Sequence, residues 1–143
     1  MIDTVVEITI DRAVDAVAQF ACDPDNAPAW YVNIKSVAWK TPPPLVVGSR
    51  IAFVAEFLGR VLSYTYEIIE FEPGRRLAMR TAEGPFPMET AYEFASKGEQ
   101  TLMRLRNRGT PAGFSKLFSP LMAFAVRRAN RADLFQLKAL MER

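Results

Sequence analysis

The chain has 143 residues, 50% hydrophobic and 24% charged, a composition that suits one globular domain, residues 1–143, with a full apolar core. Its net charge of +2 is too small to argue for nucleic acid, and no such partner is expected. Histidine is absent and Cys22 is the only cysteine, which excludes Ser-His-Asp and Cys-His catalysis, imidazole metal sites, a thiolate zinc site and an internal disulfide.

Neither a metal nor a cofactor is therefore expected, and any chemistry must rest on carboxylates, tyrosine, lysine, arginine or bound water. The first residues read directly as a strand, with no basic region followed by an apolar run. No apolar stretch reaches the roughly 18–20 residues that span a bilayer. These features and the lone cysteine point to the cytoplasm.

In chain order, residues 4–10 alternate, with Val6, Ile8 and Ile10 on one face and Glu7 and Thr9 on the other, the pattern of a half-buried strand. Asp11 offers an N-cap to a helix over 13–22 that carries Val14, Val17, Ala18 and Ala21 at helical spacing. Asp23-Pro24 stops it. A second short helix over 25–31, capped by Asp25, tolerates Pro28 in its first turns. Strands are expected over 34–41, 49–58, 60–72, 75–82, 87–96 and 100–108. Pro42-Pro43-Pro44, Gly59, Pro73-Gly74, Gly84-Pro85 and Lys97-Gly98-Glu99 separate them. Short connections between successive strands predict an antiparallel meander.

The last thirty or so residues organise the rest. Ser119-Pro120 places a capping residue before a proline at the first helical position, so the long helix starts there after a lead-in. From Phe114 onward there are six basic residues against Asp133 and Glu142, which reads as a solvated face. Ala125, Ala129 and Ala132 share one side of this helix. Small side chains there could leave space against a sheet, although helix propensity and close packing explain alanine equally well.

Period-two reading sorts the strand residues into two faces. One carries Tyr64, Tyr66, Ile68, Leu77, Met79, Thr90, Tyr92, Phe94, Met103, Leu105 and Asn107. The other carries Glu67, Arg80, Glu89, Glu93, Arg104, Arg106 and Arg108, and predicts cross-strand ion pairs of the kind that contribute roughly 0.2–1 kcal/mol each. Tyrosine hydroxyls and an asparagine amide on an inner face need partners, because an unpaired buried polar group costs on the order of 1–3 kcal/mol. They could line a cavity that holds water or a ligand, or reach the rim of the sheet.

Several short stretches resemble one known superfamily when taken in order. They are the opening Val5-Val6-Glu7-Ile8-Thr9-Ile10-Asp11 with Val17 and Phe20 in the helix after it, and Trp30 after an Asp-Pro stretch. Val47-Gly48-Ser49-Arg50 and the turn Glu72-Pro73-Gly74-Arg75-Arg76-Leu77 follow. Lys97-Gly98-Glu99-Gln100-Thr101 stands where the family usually has a G-G-T turn, and the chain ends on Leu134, Leu137-Lys138 and Met141-Glu142. Together they resemble the START/Bet v 1-like superfamily, in particular its polyketide cyclase/dehydrase and lipid-transport-like branch, across essentially the whole chain. The resemblance implies an α+β helix-grip fold: a curved antiparallel seven-stranded sheet wrapped around a long C-terminal helix, in the order β-α-α-β6-α.

It also implies a hydrophobic cavity, expected to be several hundred Å3, between sheet and helix. The residues expected to meet a ligand there are Trp30, Tyr64, Tyr66, Met79, Tyr92, Met103, Asn107, Phe118, Met122, Ala125 and Ala129, with the 114–122 lead-in as a gate. Trp30 and Trp39 read more readily as core or rim fillers than as ligand stackers. The expected partner is a small hydrophobic molecule such as a lipid, polyketide or quinone-like compound, bound or transported. The alternative is a cyclase or dehydratase in the same cavity, working through a tyrosine hydroxyl, a water or Glu56. Leu117, Phe118, Leu121 and Met122 with Arg127, Arg128 and Arg131 could also touch anionic lipid peripherally. Monomer and homodimer both remain open.

Overall fold

A computed structural model describes residues 2–109 and 119–143. Its elements are β1 (Ile2–Ile10), α1 (Val14–Ala21), a 3₁₀ turn (Pro24–Asn26), α2 (Ala27–Trp30), β2 (Ile34–Trp39), β3 (Arg50–Phe57), β4 (Arg60–Glu72), β5 (Arg76–Glu83), β6 (Met88–Lys97), β7 (Gln100–Gly109) and α3 (Ser119–Met141). Phe118 and the gate proposed for the lead-in before Ser119 lie outside the described residues.

The strands form one antiparallel sheet in the order β1-β7-β6-β5-β4-β3-β2. Strands β2 to β7 are each paired with the next in sequence, because every connection between them is a hairpin or short loop, and β1 closes the other edge against β7. The β3–β4 hairpin turns on Leu58 and Gly59, both at positive φ (52° and 76°), the combination that a two-residue hairpin matching strand twist requires. Helix α3 lies across the inner face and packs most heavily on β1.

The alternation read from the sequence is realised in burial. Ile51, Phe53, Tyr66, Ile68, Leu77, Met79, Tyr92, Phe94, Met103 and Leu105 face inward with Val17, Ala18 and Trp30 from the helices and Leu134, Leu137 and Met141 from α3. A bulge between Ile68 and Glu70 adds a residue to β4, so Phe71, opposite buried Leu77, returns to the inner face. The outer face carries the expected ion pairs: Arg104 with Glu7 (2.6 Å), Arg106 with Asp3 (2.7 Å), Arg108 with Glu89 (3.0 Å) and Arg50 with Glu67 (3.3 Å). Arg76 bridges Glu70 and Glu93.

Two caps differ from the sequence reading. The first helix starts after Ala13, which is extended (ψ 146°) and gives no side-chain cap. Asp11 is drawn elsewhere: its backbone N–H donates to Glu142 Oε2 at 2.8 Å, while Arg12 Nη1 donates to the Met141 carbonyl at 2.8 Å. Asp23, not Asp25, caps the next turn, its Oδ1 accepting from the Asp25 N–H at 3.0 Å. The Asp25 carboxylate accepts instead from Trp39 Nε1 at 2.9 Å. With Lys138 Nζ on the Thr9 carbonyl (2.7 Å), these bonds clamp the C-terminal end of α3 to the β1–α1 connection.

Candidate functional site

Between the inner face of the sheet and α3 lies a cavity of about 180 Å3. It is smaller than the several hundred Å3 expected, because large side chains from both sides fill the space. Strands β3 to β7 contribute Phe53, Tyr64, Tyr66, Met79, Thr90, Tyr92 and Asn107, and α3 contributes Met122, Val126, Ala129, Asn130 and Asp133. Tyr31 reaches in from the end of α2. A second, more open hollow of about 590 Å3 lies on the other side of Cys22, between α1 and Pro43-Pro44, and none of these tyrosines lines it.

Of the residues expected to meet a ligand, Tyr64, Tyr66, Met79, Tyr92, Asn107, Met122 and Ala129 border the cavity. Trp30, Met103 and Ala125 do not. Trp30 is fully buried behind it, its ring 4.1 Å from that of Tyr31 and 5.6 Å from that of Tyr92. Met103 is a core residue at 0% exposure. The shared face of Ala125, Ala129 and Ala132 is a flank of α3, since Ala132 is exposed and Ala125 is half-buried away from the cavity. The helix is rotated so that Met122, Val126, Ala129 and Asp133, at spacings of three and four, point inward. Glu56 is exposed on the outer face of β3, between inward Ala55 and half-buried Phe57, and is out of reach of the cavity.

Two polar systems meet the apolar lining. The first runs from sheet to helix: Tyr66 Oη and Thr90 Oγ1 are 2.9 Å apart, Thr90 Oγ1 donates to Asn107 Oδ1 at 2.5 Å, Asn107 Nδ2 donates to Asn130 Oδ1 at 3.0 Å, and Asn130 Nδ2 lies 3.4 Å from Thr4 Oγ1. It ties β4, β6, β7, α3 and β1 together through groups that are all buried, and so satisfies the hydroxyls and amides that the inner face buries.

The second system is titratable. The Tyr31 and Tyr92 hydroxyls are 2.5 Å apart. Asp133 is only 3% exposed, and its Oδ1 accepts a hydrogen bond from the Val32 N–H at 2.8 Å. Burial pushes the Asp133 carboxyl up to about 7, and the Val32 bond opposes this only in part. Burial also holds the Tyr31, Tyr64 and Tyr92 hydroxyls above their usual range and Tyr66 up to about 12, with neighbouring Asp133 raising Tyr31 and Tyr64 further. The tyrosines therefore stay protonated near neutral pH, as hydrogen-bond donors. Asp133 exchanges its proton in that range and can act as acid or base. Cys22, also on the cavity wall, is pushed up to about 12 by burial, which keeps its thiol protonated and unreactive.

Sequence reasoning missed Tyr31, Asn130 and Asp133. For the last two a signal existed: positions 126, 130, 133 and 137 follow the helical period of a buried stripe, with two polar residues interrupting it. Tyr31 had none, because its partner Tyr92 is 61 positions away in the chain. No cluster of three or more Cys, Asp or Glu able to hold a metal occurs among the described residues. No helix among them is long and apolar enough to cross a membrane.

Comparison with solved structures returns the same architecture. The chain is similar to the Zhui aromatase/cyclase from Streptomyces sp. R1128 (TM-score 0.82, 16% identity, covering 99% of this chain and 93% of that one). It is similar to a START superfamily protein from Mycobacterium smegmatis (TM-score 0.82, 12% identity, 98% and 97% covered). It is also similar to the major latex-like protein 151 from Panax ginseng (TM-score 0.73, 15% identity, 97% and 96% covered). At these identities the likeness shows a shared fold. No curated protein sequence matches the chain. A family model described as polyketide cyclase/dehydrase and lipid transport matches residues 1–142. With this match over nearly its whole length, and with its seven-stranded sheet gripping α3, the chain belongs to the polyketide cyclase/dehydrase and lipid-transport family and has the START/Bet v 1-like fold.

Proposed function

We propose that the chain binds a small, mostly apolar molecule carrying at least one hydrogen-bonding group, in the cavity between sheet and α3. The observation that carries this reading is the lining itself. Phe53, Met79, Met122 and Val126 offer apolar surface, and Tyr31, Tyr64 and Tyr92, with Asp133 from α3, add polar groups to it. Burying apolar ligand surface supplies affinity at roughly 25 cal/mol per Å2, and the polar groups set orientation. The small volume favours a compact occupant. Lipids, polyketides and quinone-like compounds remain the candidate classes. A cytoplasmic place of action belongs to the same proposal and rests on the lone cysteine.

Native mass spectrometry of gently purified protein tests it. A co-purifying apolar molecule is expected, as is its loss in Ala129→Phe, which fills the cavity from the helix side. With Ala129→Phe still folded, ligand affinity should drop at least about tenfold. A protein that is empty and also ignores a panel of fatty acids, quinones and aromatic polyketides would sink the reading.

Asp133 favours a second reading, that a reaction occurs in this cavity. A carboxyl that titrates near neutral pH beside protonated tyrosines is suited to remove a proton next to a carbonyl, with a tyrosine hydroxyl donating to the oxyanion that develops. The similarity to an aromatase/cyclase supports a cyclisation or dehydration of a poly-β-ketone. Aromatic product from a poly-β-ketone analogue should appear in the ultraviolet spectrum and fall about a hundredfold in Asp133→Asn. Turnover that ignores this substitution would remove Asp133 from the mechanism.

A further inference from the structure

The side of α3 turned away from the cavity has a composition of its own. Leu121, Phe124 and Phe135 are 65%, 61% and 65% exposed. They lie at spacings that keep them, with Arg128, in one stripe about 21 Å long. Arg127, Arg128 and Arg131 are all exposed along it. No salt bridge to any of the three occurs among the described residues, whereas the arginines of the outer sheet face are paired. No acidic side chain is exposed on α3 between Pro120 and Met141, since Asp133 is buried on the opposite side. Glu142, just beyond, is taken up by Lys138 and the Asp11 N–H.

We propose that this face of α3 docks on an anionic lipid bilayer. Exposed phenyl and leucyl side chains interleaved with these exposed guanidinium groups fit the headgroup boundary, where apolar side chains enter the acyl region and arginines reach out to phosphates. Charge also decides against the other occupants. A second copy related by a two-fold axis would set the same arginines against each other. A protein partner would need a contiguous apolar centre, from which charges are depleted, whereas here the arginines divide it. Of the apolar residues expected in this patch, Leu117 and Phe118 lie outside the described residues and Met122 points into the cavity, whereas Leu121 is exposed and is joined by Phe124 and Phe135. The proposal goes beyond ligand binding and does not depend on it. It places a bilayer about one helix diameter, roughly 10 Å, from the cavity wall formed by Met122, Val126 and Ala129.

Flotation of the full chain with vesicles tests it. Binding is expected to phosphatidylcholine vesicles containing phosphatidylglycerol, not to phosphatidylcholine alone, with release as salt rises. Arg127→Gln, Arg128→Gln and Arg131→Gln combined should weaken partitioning about a hundredfold, roughly fivefold per arginine. Phe124→Ser with Phe135→Ser should weaken it by at least about tenfold. Both variants should keep the parent melting temperature, and Ala129→Phe should keep full vesicle binding. The proposal is overturned if the chain ignores anionic vesicles at low salt, if it binds neutral ones equally, or if folded variants bind as well as the parent. It is equally overturned if the phenylalanine substitutions convert a dimer to a monomer without changing lipid binding, which would mark a self-association face.

Discussion

Asn107 and Arg106 are neighbours on β7, yet they belong to opposite faces of the sheet and to different physics. Arg106 is exposed and pairs with Asp3 across the strand boundary at 2.7 Å, one of a ladder of such pairs on the outer face. Asn107 is 7% exposed and joins Thr90 to Asn130, so that the sheet and α3 share one buried hydrogen-bond system. Water can replace the partners of Arg106 but not those of Asn107. The outer face is thus rich in polar contacts that are individually dispensable, while the inner face has few polar contacts and each leaves an unpaired group when broken.

The largest effect that would sharpen this contrast is Asn107→Leu. It takes the acceptor from the Thr90 hydroxyl, which keeps Tyr66, and the donor from Asn130 Oδ1, which is left unpaired, and should cost about 2–4 kcal/mol in urea unfolding. A cost within the usual surface range would show that the network carries little energy.

Asp133→Asn comes next and has the opposite sign at neutral pH. The folded chain holds the Asp133 proton more tightly than the unfolded chain, for which the ordinary carboxyl value is 3.8. Its contribution is fully present below that value and is lost as pH rises towards about 7. The parent should therefore lose stability, on the order of a few kcal/mol, relative to Asp133→Asn between pH 4 and 7, with a level difference above. The asparagine keeps an oxygen for the Val32 N–H. Parallel profiles for the two proteins would show that burial does not govern this carboxyl.

The smallest effect belongs to the outer face. Arg106→Gln should leave the unfolding midpoint within error of the parent at physiological salt, and any difference should shrink further as salt rises. A large, salt-insensitive loss would mean that the outer ladder acts as a connected network.

Much of the fold was legible because strand periodicity is a local property. Alternation placed Tyr64, Tyr66, Tyr92 and Asn107 on the inner face, and the ion pairs of Glu7, Glu67, Glu89 and Glu93 on the outer face, before any pairing was known. The turn residues Gly59, Pro73-Gly74 and Gly98 separated the strands closely enough to give their order. Less of the site was legible. Helix α3 is apolar around much of its circumference, with Leu121, Phe124 and Phe135 exposed and Leu134 and Leu137 buried. Hydrophobicity alone therefore does not set its rotation, and the flank of Ala125, Ala129 and Ala132 reads as a cavity face although only Ala129 borders the cavity. Asp133 sits in a helix rich in arginine and reads as one more surface charge. Glu56, in a strand apolar on both sides, reads as a candidate for the cavity but points outward.

The sequence by itself determined the kinds of chemistry open to this protein and the element order that produces its fold. Without histidine, proton transfer falls to carboxylates, tyrosine, lysine, arginine or bound water, and that follows from residue type alone. The tertiary structure decided which of those groups can serve. Only the packing of α3 against the sheet removes water from Asp133, and this desolvation moves its carboxyl to near-neutral titration; the same packing brings Asp133 near enough to Tyr31 and Tyr64 to hold their hydroxyls protonated. The same packing turns Leu121, Phe124 and Phe135 outward, because a helix can bury only one face against a sheet.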